Sequence, residues 1–361
     1  MKKLGFGIVI IVSFIGITFY FSFLVDNLLG NDKDQYMEES NSVAVEDKNF
    51  EVSSTTNQIA SHPKILEENG LHRLIGKGSN FILEKYGEPE RIDLSSYGYE
   101  WWIYPKVYST GYLQVGIENE KVVTIYGIGE DLPTAPYRLN VSYSELESIV
   151  PFTKVVSLNI MNNSYQFSLT DEELQTRPLI SVDGIFIQLY FDVFTNQLSS
   201  IRYLDATALV KKRPYSVVYR GELIEPEPLT SDEWRDVEVG SALQILQITN
   251  EIRKRHNLTK LKWDDKTAIV AYNHSEDMKE NDYFSHTSPN EGELKDRLKK
   301  QGILFQFAGE NIAANYIDAI AAVEGWLNSE GHRVNLLHED FTHLGVGVYE
   351  RYYTQNFMTP W

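Results

Sequence analysis

Tyr283-Phe284-Ser285-His286, Gly309-Glu310-Asn311-Ile312-Ala313 and Gly331-His332-Arg333-Val334-Asn335-Leu336-Leu337 follow one another in the C-terminal part of the chain. His286 comes after an expected helix end and before Thr287-Ser288-Pro289, which predicts a half-exposed loop position. Gly309 permits close backbone approach next to Glu310, and Asn311 can hydrogen-bond neighbouring loops. Ser329-Glu330-Gly331 leads into a new helix, so His332 is expected at a helix N-terminus. Six of the eight histidines (256, 274, 286, 332, 338 and 343) lie beyond residue 250. Histidine changes charge and metal affinity near neutral pH, so any chemistry is expected at this end of the chain. Two imidazoles and one carboxylate with open positions suit zinc or another divalent metal. The spacing is not a local metal signature such as His-Glu-x-x-His, and spacing alone does not establish a metal site.

Working outward, Ile245, Ile248, Ile252 and, less regularly, Leu258 share one helical face. A second helix is expected from about Asp265 to Glu280 and a third over Tyr316 to Asn328. Val346 to Tyr349 and Tyr353 to Met358 read as closing strands, and helices with a terminal strand pair point to an α-β-α sandwich over 240–361. Upstream, Gly78 to Tyr86 reads as a short helix. It is followed by strand-like runs at Tyr99–Tyr104, Tyr112–Ile117 and Lys121–Tyr126, with Glu118-Asn119-Glu120 as a hairpin turn. The succession returns as a helix over Ser142–Ile149 and strands at Ser164–Leu169, Ile185–Phe191 and Gln197–Leu204. A helix followed by three strands, twice, predicts a tandem α+β repeat over 64–210. The Tyr and Trp side chains of these strands are read as packing of a small sheet, with a binding face as the other use. Pro214, Pro226, Pro228 and many charges mark 211–239 as a linker.

The chain has 361 residues, room for two or three compact units. Its formal charge of −18 argues against nucleic acid and anionic membrane surfaces as partners, since both call for a basic face. The absence of cysteine excludes disulfides, thiolate zinc sites and cysteine nucleophiles. Met1-Lys2-Lys3 precedes an uncharged apolar stretch, 4–25, about the length that crosses a bilayer core. A cleaved signal peptide has a shorter apolar region and small residues at its cleavage site. Phe23-Leu24-Val25-Asp26-Asn27 lacks them, so 4–25 is read as an uncleaved transmembrane anchor. Lysines stay in the cytoplasm, which places the rest outside a single-pass cell-membrane protein. Between Asn31 and Ala60 seven acids face two lysines, and 26–63 reads as a solvated acidic stalk.

Residues 241–361 also resemble a CAP domain, specifically the cysteine-free bacterial SCP-like form. The matching features are Asn250…Arg253…His256, Leu261-Lys262-Trp263-Asp264, the three strings quoted above, Trp326…Ser329, Leu344-Gly345-Val346-Gly347-Val348 and Tyr353-Thr354-Gln355-Asn356-Phe357. More weakly, 65–205 resembles the CAP-associated N-terminal region of membrane-anchored proteins from Gram-positive bacilli. The resemblance implies an α-β-α sandwich whose cleft carries two histidines and two glutamates and, in several members, holds zinc or another divalent ion. Carried over by motif, these are His286, His332 and Glu310. The position of the second glutamate is Ser329 here, with Glu330 beside it as the substitute. His274, His338 and His343 are read as structural or exposed, Trp263 and Trp326 as core, and Arg333 and Asn335 as braces for the His332 loop.

Two functions follow from this reading. The first is an extracellular, membrane-anchored, non-catalytic binding or signalling module with a cation in the cleft and a peptide, cell-wall fragment or lipid around it. The second is a metal-dependent hydrolase in which Glu310 is the general base. Ser285 beside His286 is no dyad, because sequence neighbours point apart.

Overall fold

Strands buried at nearly every position along their central members, joined by tight turns, build the N-terminal half. The computed structural model describes residues 45–46 and 69–361. The proposed anchor at 4–25 and nearly all of the acidic segment 26–63 lie outside them. Among the described residues no helix is long and apolar enough to cross a membrane. The short strand β1 (Val45–Glu46) is followed by helix α1 (Ser79–Tyr86), β2 (Arg91–Leu94), β3 (Glu100–Val107), β4 (Gly111–Glu118) and β5 (Lys121–Ile128). The expected turn at 118–120 joins β4 to β5, with Asn119 and Glu120 both at positive φ, the backbone a two-residue hairpin needs.

After α2 (Tyr143–Ile149) come the hairpin β6 (Val155–Ile160) and β7 (Asn163–Ser168), α3 (Asp171–Thr176), β8 (Leu179–Val182), β9 (Ile185–Asp192) and β10 (Gln197–Leu204). The main sheet runs β2-β3-β4-β5-β10-β9-β8, antiparallel throughout, so two meanders meet at the β5–β10 seam. One expectation fails here. The 164–169 strand does not join the second meander, whose third strand is β8. It belongs instead to a separate sheet, β1-β11-β7-β6, in which β11 is Ser216–Arg220.

The expected linker 211–239 also folds. It holds the end of α4 (Ala206–Lys212), β11, and the start of the long helix α5 (Ser231–Arg255). Thr230 and Glu233 form a reciprocal capping box at that start. Asp232 and Glu233 then sit where the helix dipole favours acids. Charge and proline here mark a helix boundary. Residues 69–361 belong to one compact unit.

The C-terminal half contains β12 (Lys262–Trp263), α6 (Asp265–Glu280), α7 (Leu294–Lys300), β13 (Phe305–Ala314), α8 (Ala319–Leu327), α9 (Glu330–Leu336), β14 (His343–Tyr349) and β15 (Tyr352–Pro360). The sheet order is β12-β14-β15-β13, which makes β13 an edge strand. Gly345 and Gly347 of β14 let α6 lie directly on the sheet. A Cβ on either would strike the α6 backbone at Thr267–Ala268 or Ala271–Tyr272. Leu344, Val346 and Val348 alternate with those glycines and join the main core with Ile245, Ile248 and Ile252 of α5 and Val323 and Trp326 of α8. Val270 of α6, Leu298 of α7, Ile303 and Met358 form a separate small cluster. Helices thus cover both faces of the sheet, as the resemblance implied.

Candidate functional site

The site lies along the edge strand β13. Its even positions, Ala308 and Glu310, face the α6/α7 layer, while Asn311 faces α9. Neighbouring residues of the Gly309–Ala313 string therefore serve opposite sides, as strand geometry requires. Gly309 is close-packed, since a Cβ there would meet the Asn335 amide and the Phe341 ring.

The Glu310 side chain is 3% exposed and that of His286 is 50% exposed. His286 Nδ1 lies 3.0 Å from Glu310 Oε1. The other carboxylate oxygen, Oε2, accepts from Arg297 Nη2 at 2.5 Å. Arg297 Nη1 also donates to the carbonyls of His286 (2.9 Å) and Gly292 (2.8 Å). One guanidinium thus clamps the acid and the loop that carries the imidazole. His274 is buried in α6, with Nε2 3.0 Å from the Ser285 carbonyl and 3.9 Å from Glu310 Oε1. Burial would push the Glu310 carboxyl up, but the His286 contact and the Arg297 charge outweigh it and hold its pKa below the usual range.

On the α9 side, His332 is 3% exposed and its Nδ1 lies 2.8 Å from Ser329 Oγ. Burial, and then the nearby His286 charge, push its pKa down to about 4. Asn335 Nδ2 donates to the Glu310 carbonyl (3.1 Å) and to Asn311 Oδ1 (3.0 Å). Asn311 Nδ2 donates to the His332 carbonyl at 3.1 Å. The two asparagines tie the helix bearing His332 to the strand bearing Glu310. Arg333 donates to the Leu327 carbonyl at 2.9 Å and forms a two-pronged pair with Asp192 of β9 (3.0 and 2.9 Å). It braces the loop as expected and also fastens it to the N-terminal sheet.

His286 and Glu310 therefore meet directly and His332 is tied to the same strand through Asn311, whereas Glu330 does not join them. It is exposed on the first turn of α9, and buried Ser329 takes the inward place beside His332. A helix start fixes this, because one residue along the helix turns the side chain by about 100°. A divalent cation fits the observed donor set poorly, since both Glu310 oxygens are engaged and a permanent cation touches one of them. Among the described residues no group of three or more His, Cys, Asp or Glu stands together as a metal cage. Arg297 and His274 were not expected at the site. Arg297 is one of several charges in Glu291–Lys300, and no local pattern sets it apart. His274 was correctly expected to be packed, but its place beside Glu310 was not.

Comparison with known proteins agrees with this architecture. Residues 75–215 match the CAP-associated N-terminal family and 246–359 match the cysteine-rich secretory protein (CAP) family. Over 293 residues the chain is 50% identical to the uncharacterized membrane protein YlbC of Bacillus subtilis, covering 81% of this chain and 84% of that one. The uncharacterized protein YkwD of the same bacterium is 40% identical over 117 residues, 32% of this chain and 46% of its own. The crystal structure of an extracellular SCP-domain protein from Bacillus anthracis superposes with a TM-score of 0.77 at 46% identity, covering 87% of this chain and 99% of that one. A cysteine-rich secretory protein from Staphylococcus aureus shares the fold, with a TM-score of 0.71 at 23% identity over 81% of this chain and 94% of its own. The chain belongs to the CAP family, in the form that carries a CAP-associated N-terminal region.

Proposed function

We propose that this chain is a membrane-anchored extracellular binding module whose cleft at His286 receives a peptide or cell-wall fragment and performs no catalytic cycle. One observation carries the reading: both oxygens of the carboxylate best placed to act as a base already hold a basic partner. A general base works best with a pKa near the operating pH and a free lone pair toward the proton it takes. Glu310 is held below the usual carboxylate range, with Arg297 on one oxygen and His286 on the other. It acts as a brace that aims the half-exposed imidazole outward. The polar surroundings favour a hydrogen-bonding ligand over an acyl chain. Anchoring rests on the apolar stretch 4–25 and on the membrane and extracellular descriptions of two similar proteins.

A divalent cation at His286 and His332 is the second reading, which rests on the CAP motifs that carry both imidazoles. A metal-dependent hydrolase would be built on it, and Glu310 could serve it only after leaving Arg297. Incubating the chain with wall fragments and peptides, with binding and turnover followed in parallel, separates the readings. Binding lost in His286→Ala without turnover is the expected outcome. Turnover that disappears on chelation and in Glu310→Gln would replace the binding reading with the hydrolase.

A further inference from the structure

A second groove, in the N-terminal half, reverses the charge of the molecule. We propose that it binds a phosphate-bearing ligand, with Arg73, Lys77 and Lys85 around the phosphate and Phe81 against the ligand's body. The groove has a volume of about 550 Å³ and lies between residues 69–75 and helix α1. That is within the roughly 300–1,000 Å³ range of small-ligand sites.

Three cationic side chains line this groove and no carboxylate does, on a chain whose formal charge is −18. Such a cluster concentrates positive potential locally and draws anions against the overall field. Arg73, Lys77 and Lys85 are all exposed. Lys77, Phe81 and Lys85 recur at four-residue intervals, which sets Phe81 and Lys85 on one face of α1, with Lys77 leading into it. Phe81 is 42% exposed, and Lys77 Nζ stands 5.9 Å from its ring centroid.

His72 supplies the second, independent observation. It lines the same groove, is 3% exposed, and its Nε2 has no hydrogen-bond partner. Buried polar atoms in folded proteins are nearly always satisfied, and this one, closed off from solvent in the free chain, would reach a ligand oxygen only once the groove lining shifts. Burial and then the Arg73 charge keep the imidazole's pKa low, against a weaker opposing pull from Asp183. Three cations and an imidazole are more than a single-charge carboxylate needs. A phosphate brings one and a half to two charges and three acceptor oxygens, which matches the donor set.

Calorimetry on the full-length chain in a nonionic detergent at low ionic strength tests this. Glycerol 1-phosphate should bind at one site, with acetate at least tenfold weaker. Lys77→Gln/Lys85→Gln should weaken glycerol phosphate at least tenfold. Lys266→Gln/Lys299→Gln, exposed lysines elsewhere, should change it less than twofold. Dihexanoyl phosphatidylglycerol, with the phosphatidylcholine analogue as control, separates the sources. Binding tenfold tighter than glycerol phosphate assigns a lipid headgroup, and equal binding assigns a free or polymer-borne phosphate. Equal loss in both lysine pairs, no loss in the Lys77/Lys85 pair, or acetate as tight as phosphate would overturn the proposal. None of these substitutions touches the His286 cleft, so the cleft reading survives such a failure.

Discussion

Two carboxylates, Glu310 and Asp318, are each held by two basic side chains, and their difference separates a site from a joint. Asp318 accepts from Arg202 at 3.0 and 2.9 Å and from Lys212 at 2.7 Å. Both cationic side chains are 0% exposed. Arg202 comes from β10, Lys212 from α4, and Asp318 caps α8, so this cluster locks the N-terminal sheet to the CAP domain. Around Glu310 the partner His286 is half exposed instead. Two fully buried cations can only hold parts together, whereas a cluster with an open partner can also meet a ligand. The joint carries two cations on one carboxylate. Burial pushes the Lys212 ammonium down to about 7 although Asp318 lies beside it. The N-terminal region is thus bolted to the CAP domain and does not hang from it by a linker.

The comparison breaks first at the joint. Asp318→Asn leaves two buried cations without a counter-charge and should cost about 3–5 kcal/mol in denaturant unfolding. A loss under 1 kcal/mol would mean the cluster bears no weight. The next effect concerns pH. The folded pKa of His332, about 4, lies below its ordinary 6.5, so the unfolded chain takes up a proton that the folded chain refuses. That contribution is complete above pH 6.5 and lost as pH falls toward 4, at most ~3 kcal/mol. His332→Gln should flatten the stability profile across that window, and an unchanged slope would place the titration elsewhere.

Opening the site's clamp should cost less than breaking the joint. Arg297→Met removes one partner from Glu310 but leaves a solvent-reachable imidazole on the other, so about 2 kcal/mol is expected. A cost equal to that of Asp318→Asn would erase the distinction between the two clusters. Smallest is the helix start. Ser329→Ala should cost about 1 kcal/mol for its bond to His332, and Glu330→Gln should stay within about 0.5 kcal/mol. A reversed order would restore Glu330 to the cleft.

Much of this was legible in the residues. The three strings carried the C-terminal fold and the pairing of His286 with Glu310, because each couples a turn former to a functional side chain. The β4–β5 turn and the boundaries of α1 and α2 were visible through turn and periodicity signals. Arg297 was not, since its significance comes from reaching across to β13, and a charge on a surface-like helix looks like any other. The 211–239 segment misled because capping acids and linker acids look the same until Thr230 and Glu233 are read as a pair. The strand at β7 misled because β propensity does not say which sheet a strand joins.

The central claim is that Glu310 is an ionised brace already claimed by Arg297 and His286. Zinc calorimetry on the full-length chain at neutral pH tests it most directly. The account predicts no stoichiometric uptake in the wild-type chain. One zinc per chain, lost in each of His286→Ala, His332→Ala and Glu310→Gln, would contradict it.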